Sequence, residues 1–591
     1  MYRFLVVTSV LIVIALVTVI GLSYQSSEAD FTLDNETECT SLDNHLMRWV
    51  HENRIGRALY EGLTATDPVT LQPAPGAAES WEVSPDGLTY TFHLRENGRW
   101  SNGDPITATD FYWSWERALN ARVGAEYSNM AFPIKNARAY YESILAHGED
   151  PKQPILPYAE VGVRVEDPHT LVVQLEFPCT YFLEIAAQSI LRPIHRPSYE
   201  RVGAYTWPTA ATSRPGQPYD AGEDSFTKRH LATRPETMVS NGAYTLEEWT
   251  FKRRMILRKN PQYWSRDNVA LERIKVLPID DPNTAFLAYE TGVVDWMPKP
   301  TLRTQKLLYE EFRAGRRPDF YPAPNYGTYF YVFNCTKPPF DDVRVRRAFV
   351  MAVDKAKLCS EVAGLGEEPA TVFFPPAGRE AAAQADADGN LYYYDQPEGL
   401  PYDVATARRE LADAGWKKVD GRYQRDGKPL PTIEISYNTL ESHAVIAQAI
   451  GKMWEEAFGT DVSLRNLEIK VYDEMRKNLD YMIGRYAWYG DYLDPTTFLN
   501  MYRTGDGFND TGWSNPHYDD LLAQAAREPH PGKRFELLKQ AETLLVDQEV
   551  PIMPIYYYKG AWLFRSNVKG VHHNIRGWLF LKAISIQRGE T

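Results

Sequence analysis

No chain of 591 residues folds around one hydrophobic core, because single cores stop growing at about 250–300 residues and longer chains divide. Two to four domains or lobes are therefore expected, and a hydrophobic content of 44% is ample to fill them. The formal net charge of −14 argues against nucleic acid as a partner, since a phosphate backbone is held by a basic field. Short basic runs such as Lys252-Arg253-Arg254 do not change that sign. Aromatic residues make up 13% of the chain. Such a share suits a ligand cleft lined with ring faces, and it suits large β-rich cores equally well.

The N-terminus carries the compartment signal. Phe4 to Leu22 is an unbroken run of apolar and small residues with Arg3 before it and Glu28, Asp30, Asp34, Glu36 and Glu38 after it. At 1.5 Å rise it makes about 28 Å of helix, enough to span a bilayer. Arg3 marks the cytoplasmic side, so the remainder is expected to be exported. The run is longer than the apolar core of a cleaved signal and no Ala-x-Ala follows, which predicts an uncleaved membrane anchor. No Cys follows it directly, so an N-terminal lipid on cysteine is not expected. Four cysteines, Cys39, Cys179, Cys335 and Cys359, match no zinc spacing. Export permits a disulfide, and Cys335 with Cys359 is the one pair to consider, against the equally common alternative of buried free thiols.

Local signals alternate between strand and helix throughout. Trp81 and Val83, then Leu88, Tyr90, Phe92 and Leu94, alternate with polar residues around Pro85-Asp86-Gly87 and predict a β-hairpin. Thr107 with Asp110 reads as a capping box, and Asp403 as the cap of a helix ended by Gly415. Pro529 and Pro531 break a helical stretch, and Pro551 to Pro554 leads into a strand from Ile555 to Tyr558. Pro208 to Glu236 and Pro375 to Pro401 read as surface insertions with no core contribution.

The richest stretch runs from Gly484 through Arg485, Tyr486, Ala487, Trp488, Tyr489 and Gly490 to Asp491 and Tyr492. In an extended segment side chains alternate with period two, so Arg485 and Asp491 share a face with Cα atoms roughly 20 Å apart. A fixed cation and a fixed anion at that spacing fit a short zwitterion such as an extended peptide. Trp488 and Tyr489 then wall the space between. The plainer alternative is a local ion pair on a solvated face.

Several phrases in this order carry a family resemblance: Leu59-Tyr60-Glu61-Gly62-Leu63, Ala78 to Arg95, Trp100 to Pro105, Asn241-Gly242-Ala243-Tyr244, Asn260 to Trp264, Phe340 to Ala348 and Pro551 to Tyr556. From about residue 40 to the end the chain resembles the oligopeptide/dipeptide-binding receptors of ABC importers. The resemblance implies an α/β, two-lobed periplasmic-binding-protein fold with a third, smaller domain inserted beside the first lobe. By matching phrases, residues 1–30 form the anchor or signal segment, and lobe I comprises 31–65, 190–326 and 566–591. The smaller domain is then 66–189, lobe II is 327–565, and crossings near Gly327 and Arg565 form a hinge.

The same likeness gives Asp491 the role of holding the ligand ammonium and Arg485 a place near the ligand's carboxyl end. Trp488 matches a pocket wall, Ala487, Tyr489 and Ile55 match positions where backbone pairs with the peptide as an added strand, and Tyr127 matches a cleft tyrosine. Where relatives carry a disulfide across the cleft this chain has Gly327 and Tyr489, which implies that Tyr489 narrows a side-chain pocket. Short peptides are the implied ligands, ABC permease and ATPase subunits the implied partners, and a monomer without cofactor or metal the implied state. The location implied is periplasmic or cell-surface, tethered by Phe4 to Leu22.

No zinc-protease motif, nucleophile elbow, phosphate loop or Cys-His arrangement points to an enzyme. Among the 12 histidines, His572-His573 reads as surface. Asp386 to Asn390 reads as a solvated turn and not a calcium loop. Two alternatives remain open: the same fold with a nickel complex, sugar, opine or haem as ligand, and a membrane-tethered peptide sensor.

Overall fold

Two long antiparallel strands, Phe320–Phe333 and Ile552–Phe564, are the spine of the molecule. Their aromatic and β-branched residues suit a sheet buried on both faces, and Tyr326 to Phe333 are all buried. Their pairing is regular from Phe320 to Pro324 and resumes from Thr328 to Val332, with the register shifting between Pro324 and Thr328 and again between Tyr329 and Phe330. On one side of this pair the sheet continues through Trp296–Met297, Phe31–Asp34, Arg273–Leu277, Arg254–Lys259 and Tyr244–Thr250. On the other it continues through Ile483–Tyr489, Ile433–Asn438 and Val462–Leu467. Each half has its own packing: Phe31, Leu33, Ile55, Tyr244 and Trp296 share one core, while Phe349, Ile435, Trp454 and Ile483 share another.

The structure, a computed structural model, describes residues 29–208, 222–362, 364–386 and 388–587. The Phe4–Leu22 run lies outside these residues. No described helix is long and apolar enough to cross a membrane.

A separate four-stranded antiparallel sheet, in the order Ala78–Val83, Thr89–Leu94, Thr170–Gln174 and Val163–Asp167, packs on its own core around Phe92, Trp100, Trp115 and Tyr140. Its first two strands are the expected hairpin, turning at Gly87 with φ of 69°. The expected capping box is present, the Thr107 N–H donating to the Asp110 carboxylate at 2.8 Å ahead of the helix Ala108–Leu119. Asp403 accepts the Thr406 N–H at 2.9 Å and starts the helix Val404–Asp413. The core of this smaller unit runs from Leu63 to Ala232, beyond residue 189.

Four expectations are corrected. Pro375 to Pro401 contributes to the core, because Tyr394 is fully buried and donates its hydroxyl to Glu542 at 2.5 Å. Ala232, inside the other expected insertion, is also buried. His573 is not a surface ring, since it stacks on Trp562 with centroids 4.5 Å apart, and burial lowers its pKa to about 4. All four cysteines are free: Cys359 packs within one apolar core whose fringe Cys335 only touches.

Candidate functional site

The strand Ile483–Tyr489 is paired along one edge, from Ile483 opposite Phe333 to Tyr489 opposite Gly327. Along its other edge the parallel strand Ile433–Asn438 pairs only with Ile483 and Gly484. Beyond Arg485, whose carbonyl accepts the Tyr472 hydroxyl at 2.6 Å, Tyr486 to Tyr489 have no strand partner on that edge among the described residues. Ala487 and Tyr489 therefore sit on an open edge, the arrangement by which sheets accept an added strand.

The side chains of this strand divide between two faces. On one, the Arg485 guanidinium lies 4.7 Å over the Tyr329 ring and donates to the Tyr558 hydroxyl at 2.8 Å and to Asn438 Oδ1 at 3.3 Å. Tyr489, half exposed, stacks on Tyr558 with centroids 4.8 Å apart. Arg485 forms no ion pair among the described residues, its polar partners being Asn438 and Tyr558, and its buried Nε has no acceptor. His443 beside it is held neutral, its pKa lowered to about 3 by burial and by the Arg485 and Lys299 charges. On the opposite face Trp488 meets Phe508 edge-on at 5.0 Å, and its buried indole N–H has no acceptor.

The alternation ends before Asp491. Gly490 donates its N–H to the Tyr326 carbonyl at 2.9 Å, and a Cβ there would lie 2.1 Å from the Tyr326 ring, so only glycine lets the chain pass. The Asp491 N–H is then taken by Thr497 Oγ1 at 2.9 Å. Its carboxyl has no hydrogen bond or ion pair among the described residues. Burial raises its pKa to about 6, opposed by the charge of Arg576. Asp491 and Trp488 line one cavity of about 540 Å³ which Arg485 and Tyr489 do not line. The expectation that Arg485 and Asp491 share a strand face is corrected, because the strand stops at Tyr489.

Three contacts fix the loop after Asp491. Tyr492 stacks on Tyr181 at 3.8 Å and 7°. The Leu493 N–H donates to Glu184 at 3.0 Å, and Asp494 forms a two-pronged ion pair with Arg534 at 2.7 and 2.8 Å. Glu184 also accepts from Arg576 at 2.9 Å, while burial raises its carboxyl to about 7. Tyr127, on the smaller unit, stands within the field of Asp491, and burial followed by that charge pushes its phenol up to about 12. The structure thus brings Asp491 and Trp488 to one cavity, with Tyr127 near enough to feel the Asp491 charge but not among the lining residues. Arg485 and Tyr489 lie on the other face, with Ala487 on the strand between.

Ile55 is corrected. It lies inside the helix Val50–Leu59, fully buried, where the ladder takes its backbone groups and no strand can add. Glu184, Tyr181, Arg576, Tyr558 and Thr497 complete the site and carry no motif in the sequence. No group of three or more metal-ligating side chains occurs among the described residues.

Residues 72–510 match the family described as "Bacterial extracellular solute-binding proteins, family 5 Middle". The oligopeptide-binding protein OppA of Bacillus subtilis is 33% identical over 554 residues, 93% of this chain and 91% of that protein. The probable deoxycholate-binding periplasmic protein YgiS of Escherichia coli is 30% identical over 563 residues, 94% of this chain and 93% of that protein. Among solved structures, Haemophilus influenzae OppA in complex with RPPGFSPFR superposes with a TM-score of 0.72 at 27% identity, covering 95% of this chain and 100% of that one. The α/β two-lobed architecture is shared with these proteins, and the chain belongs to the bacterial extracellular solute-binding proteins of family 5.

Proposed function

We propose that this protein is an extracytoplasmic receptor that captures short peptides by their backbone and termini and passes them to the permease and ATPase subunits of an ABC importer. One observation carries the reading: a half-buried carboxyl without a partner among the described residues, Asp491, follows directly on an open strand edge. A receptor for many peptide sequences recognises what all of them share. Added-strand pairing along Ala487–Tyr489 supplies the backbone contacts, and Asp491 receives the ammonium, whose burial without a carboxylate is costly. Arg485, a guanidinium without a carboxylate, meets the carboxyl end. Tyr127 stands beside the ammonium site.

In this reading the protein is a monomeric binder and not an enzyme, tethered outside the cytoplasmic membrane by Phe4 to Leu22. Lobe I comprises 31–65, 190–326 and 566–591, with apolar side chains from Ile190 to Trp207 and Ala232 packed into the core of the smaller domain, 66–189, and lobe II is 327–565. The lobes hinge where the two long strands cross. Titration calorimetry with free and N-acetylated tri- and tetrapeptides tests it. Free peptides should bind, and acetylation should weaken them by roughly thirtyfold or more, the lower end of the loss on removing one partner of a buried charge pair.

A second reading, an amphipathic non-peptide ligand, draws support from the deoxycholate-binding name of one relative and from the partly apolar cavity at Trp488. A bile acid that raises the melting temperature while no peptide does so would favour it.

A further inference from the structure

The cavity beside Asp491 lies between two parts of the chain. Met130, Phe132 and Phe177 approach it from the smaller unit, and Trp488, Met501 and Phe508 from the other side. At about 540 Å³ it falls in the size range of ligand pockets, about 300–1,000 Å³. Two features make it more than a crevice between packed units. Phe508, a large apolar ring against Trp488, keeps 43% of its surface exposed, and the Asp491 carboxyl on the cavity wall has no hydrogen bond or ion pair among the described residues. Both are left incomplete by the protein alone: the ring needs an apolar cover, the carboxylate a cation.

Resting on the peptide reading, we propose that this cavity receives the side chain of the residue whose ammonium Asp491 holds, so that the preferred substrates are peptides beginning with a large apolar residue such as Phe, Trp or Leu. An extended peptide anchored at Asp491 puts its first side chain two bonds from the charged nitrogen, and Asp491 itself lines the cavity. Charge narrows the class further. Arg138 and Arg503 line the cavity against four carboxylates, Glu142, Glu176, Asp506 and Asp491. That excess of negative charge disfavours an acidic first residue. The smaller domain thereby becomes a wall of the specificity pocket.

Calorimetry with Gly-Gly-Gly, Phe-Gly-Gly, Gly-Gly-Phe and Glu-Gly-Gly tests the proposal on the unaltered protein. Phe-Gly-Gly should bind about tenfold to a hundredfold more tightly than Gly-Gly-Gly, the gain from burying one large apolar side chain. Gly-Gly-Phe should gain less than Phe-Gly-Gly, and Glu-Gly-Gly should bind most weakly. Met130→Trp, which fills the cavity, and Phe508→Ala, which removes a wall, should each narrow the gap between Phe-Gly-Gly and Gly-Gly-Gly. Equal affinity for those two peptides on the unaltered protein, or an equal gain from Phe in the third position, would overturn the proposal while leaving the peptide reading standing. Failure of every free tripeptide to bind would overturn both.

Discussion

Tyr489 stands directly opposite Gly327 in the antiparallel pairing, and a Cβ added at Gly327 would lie 2.6 Å from its ring and 2.9 Å from the Trp488 carbonyl. The pair sits where the spine leaves its register break and the binding strand begins, so side-chain volume here is shared between the two positions. Gly327→Ala should therefore destabilise the protein by about 1–3 kcal/mol, the usual cost of overpacking. In Tyr489→Ala the same change should cost less, because the ring is gone while the Trp488 carbonyl remains. A double-mutant cycle by urea unfolding measures the difference, and additive costs would show that the ring does not set the limit.

The apparent affinity for a peptide should depend on pH in a way set by Asp491. Its carboxyl, raised to about 6 by burial, must be ionised to hold an ammonium. Binding should thus be full above about pH 7 and fall roughly tenfold per pH unit below 6, as linkage to one proton requires. Above about pH 8 the peptide's own amine loses its charge and affinity declines again. Asp491→Asn should bind weakly and flatten both limbs, because the carboxylate that distinguishes an ammonium from a neutral amine is gone. Calorimetry from pH 5 to 9 checks both limbs, and an acid limb that survives in the variant assigns it to another group.

Part of this architecture is legible in the sequence and part is not, and the division follows chain separation. The hairpin at Gly87, the capping box at Thr107 and the cap at Asp403 rest on residues a few positions apart, and each stands as expected. The strand through Arg485 was legible from its pattern, but its end was not, because the close passage of Gly490 against Tyr326 joins distant segments. Ile55 takes its expected role from the resemblance alone, and the helix Val50–Leu59 instead commits its backbone groups to a helical ladder. Glu184 was invisible because its partners Leu493 and Arg576 lie 309 and 392 residues away.

That junction makes its own prediction. Glu184 and Arg576 are an almost fully buried pair, with 13% and 4% of their side chains exposed. Glu184→Gln keeps an acceptor for the Leu493 N–H but leaves the guanidinium without its anion. Removing one member of such a pair costs about 3–5 kcal/mol, which thermal melting should register as a clear loss. Arg576 is also the cation that opposes burial at Asp491. Freed from Glu184, it should favour the Asp491 carboxylate more strongly and move the acid limb of peptide binding to lower pH. Arg576→Met should move that limb to higher pH. Shifts in the same direction for both variants would show that Arg576 does not act on Asp491.

The last prediction concerns Arg485 and the far end of the ligand. Tyr558 and Asn438 hold this guanidinium through hydrogen bonds, and Tyr329 lies beneath it, yet no carboxylate neutralises it among the described residues. Its position is fixed, whereas the carboxyl terminus of a peptide anchored at Asp491 moves about 3.3 Å with every added residue. Arg485→Gln should therefore weaken binding unequally across lengths, most for the peptide whose carboxylate falls nearest the guanidinium and least for those that stop short or run past. C-terminal amidation removes the same charge from the ligand's side. For the best-matched length, amidation and the substitution should each weaken binding, and applied together they should cost less than the sum of the two. Tyr558→Phe, which removes one hydrogen bond and keeps the charge, should cost less than Arg485→Gln and keep the same length preference. Calorimetry with free and amidated tri-, tetra- and pentapeptides measures each of these differences. A loss that is the same for amidated and free peptides at every length would show that Arg485 supports the cleft without reading the carboxylate.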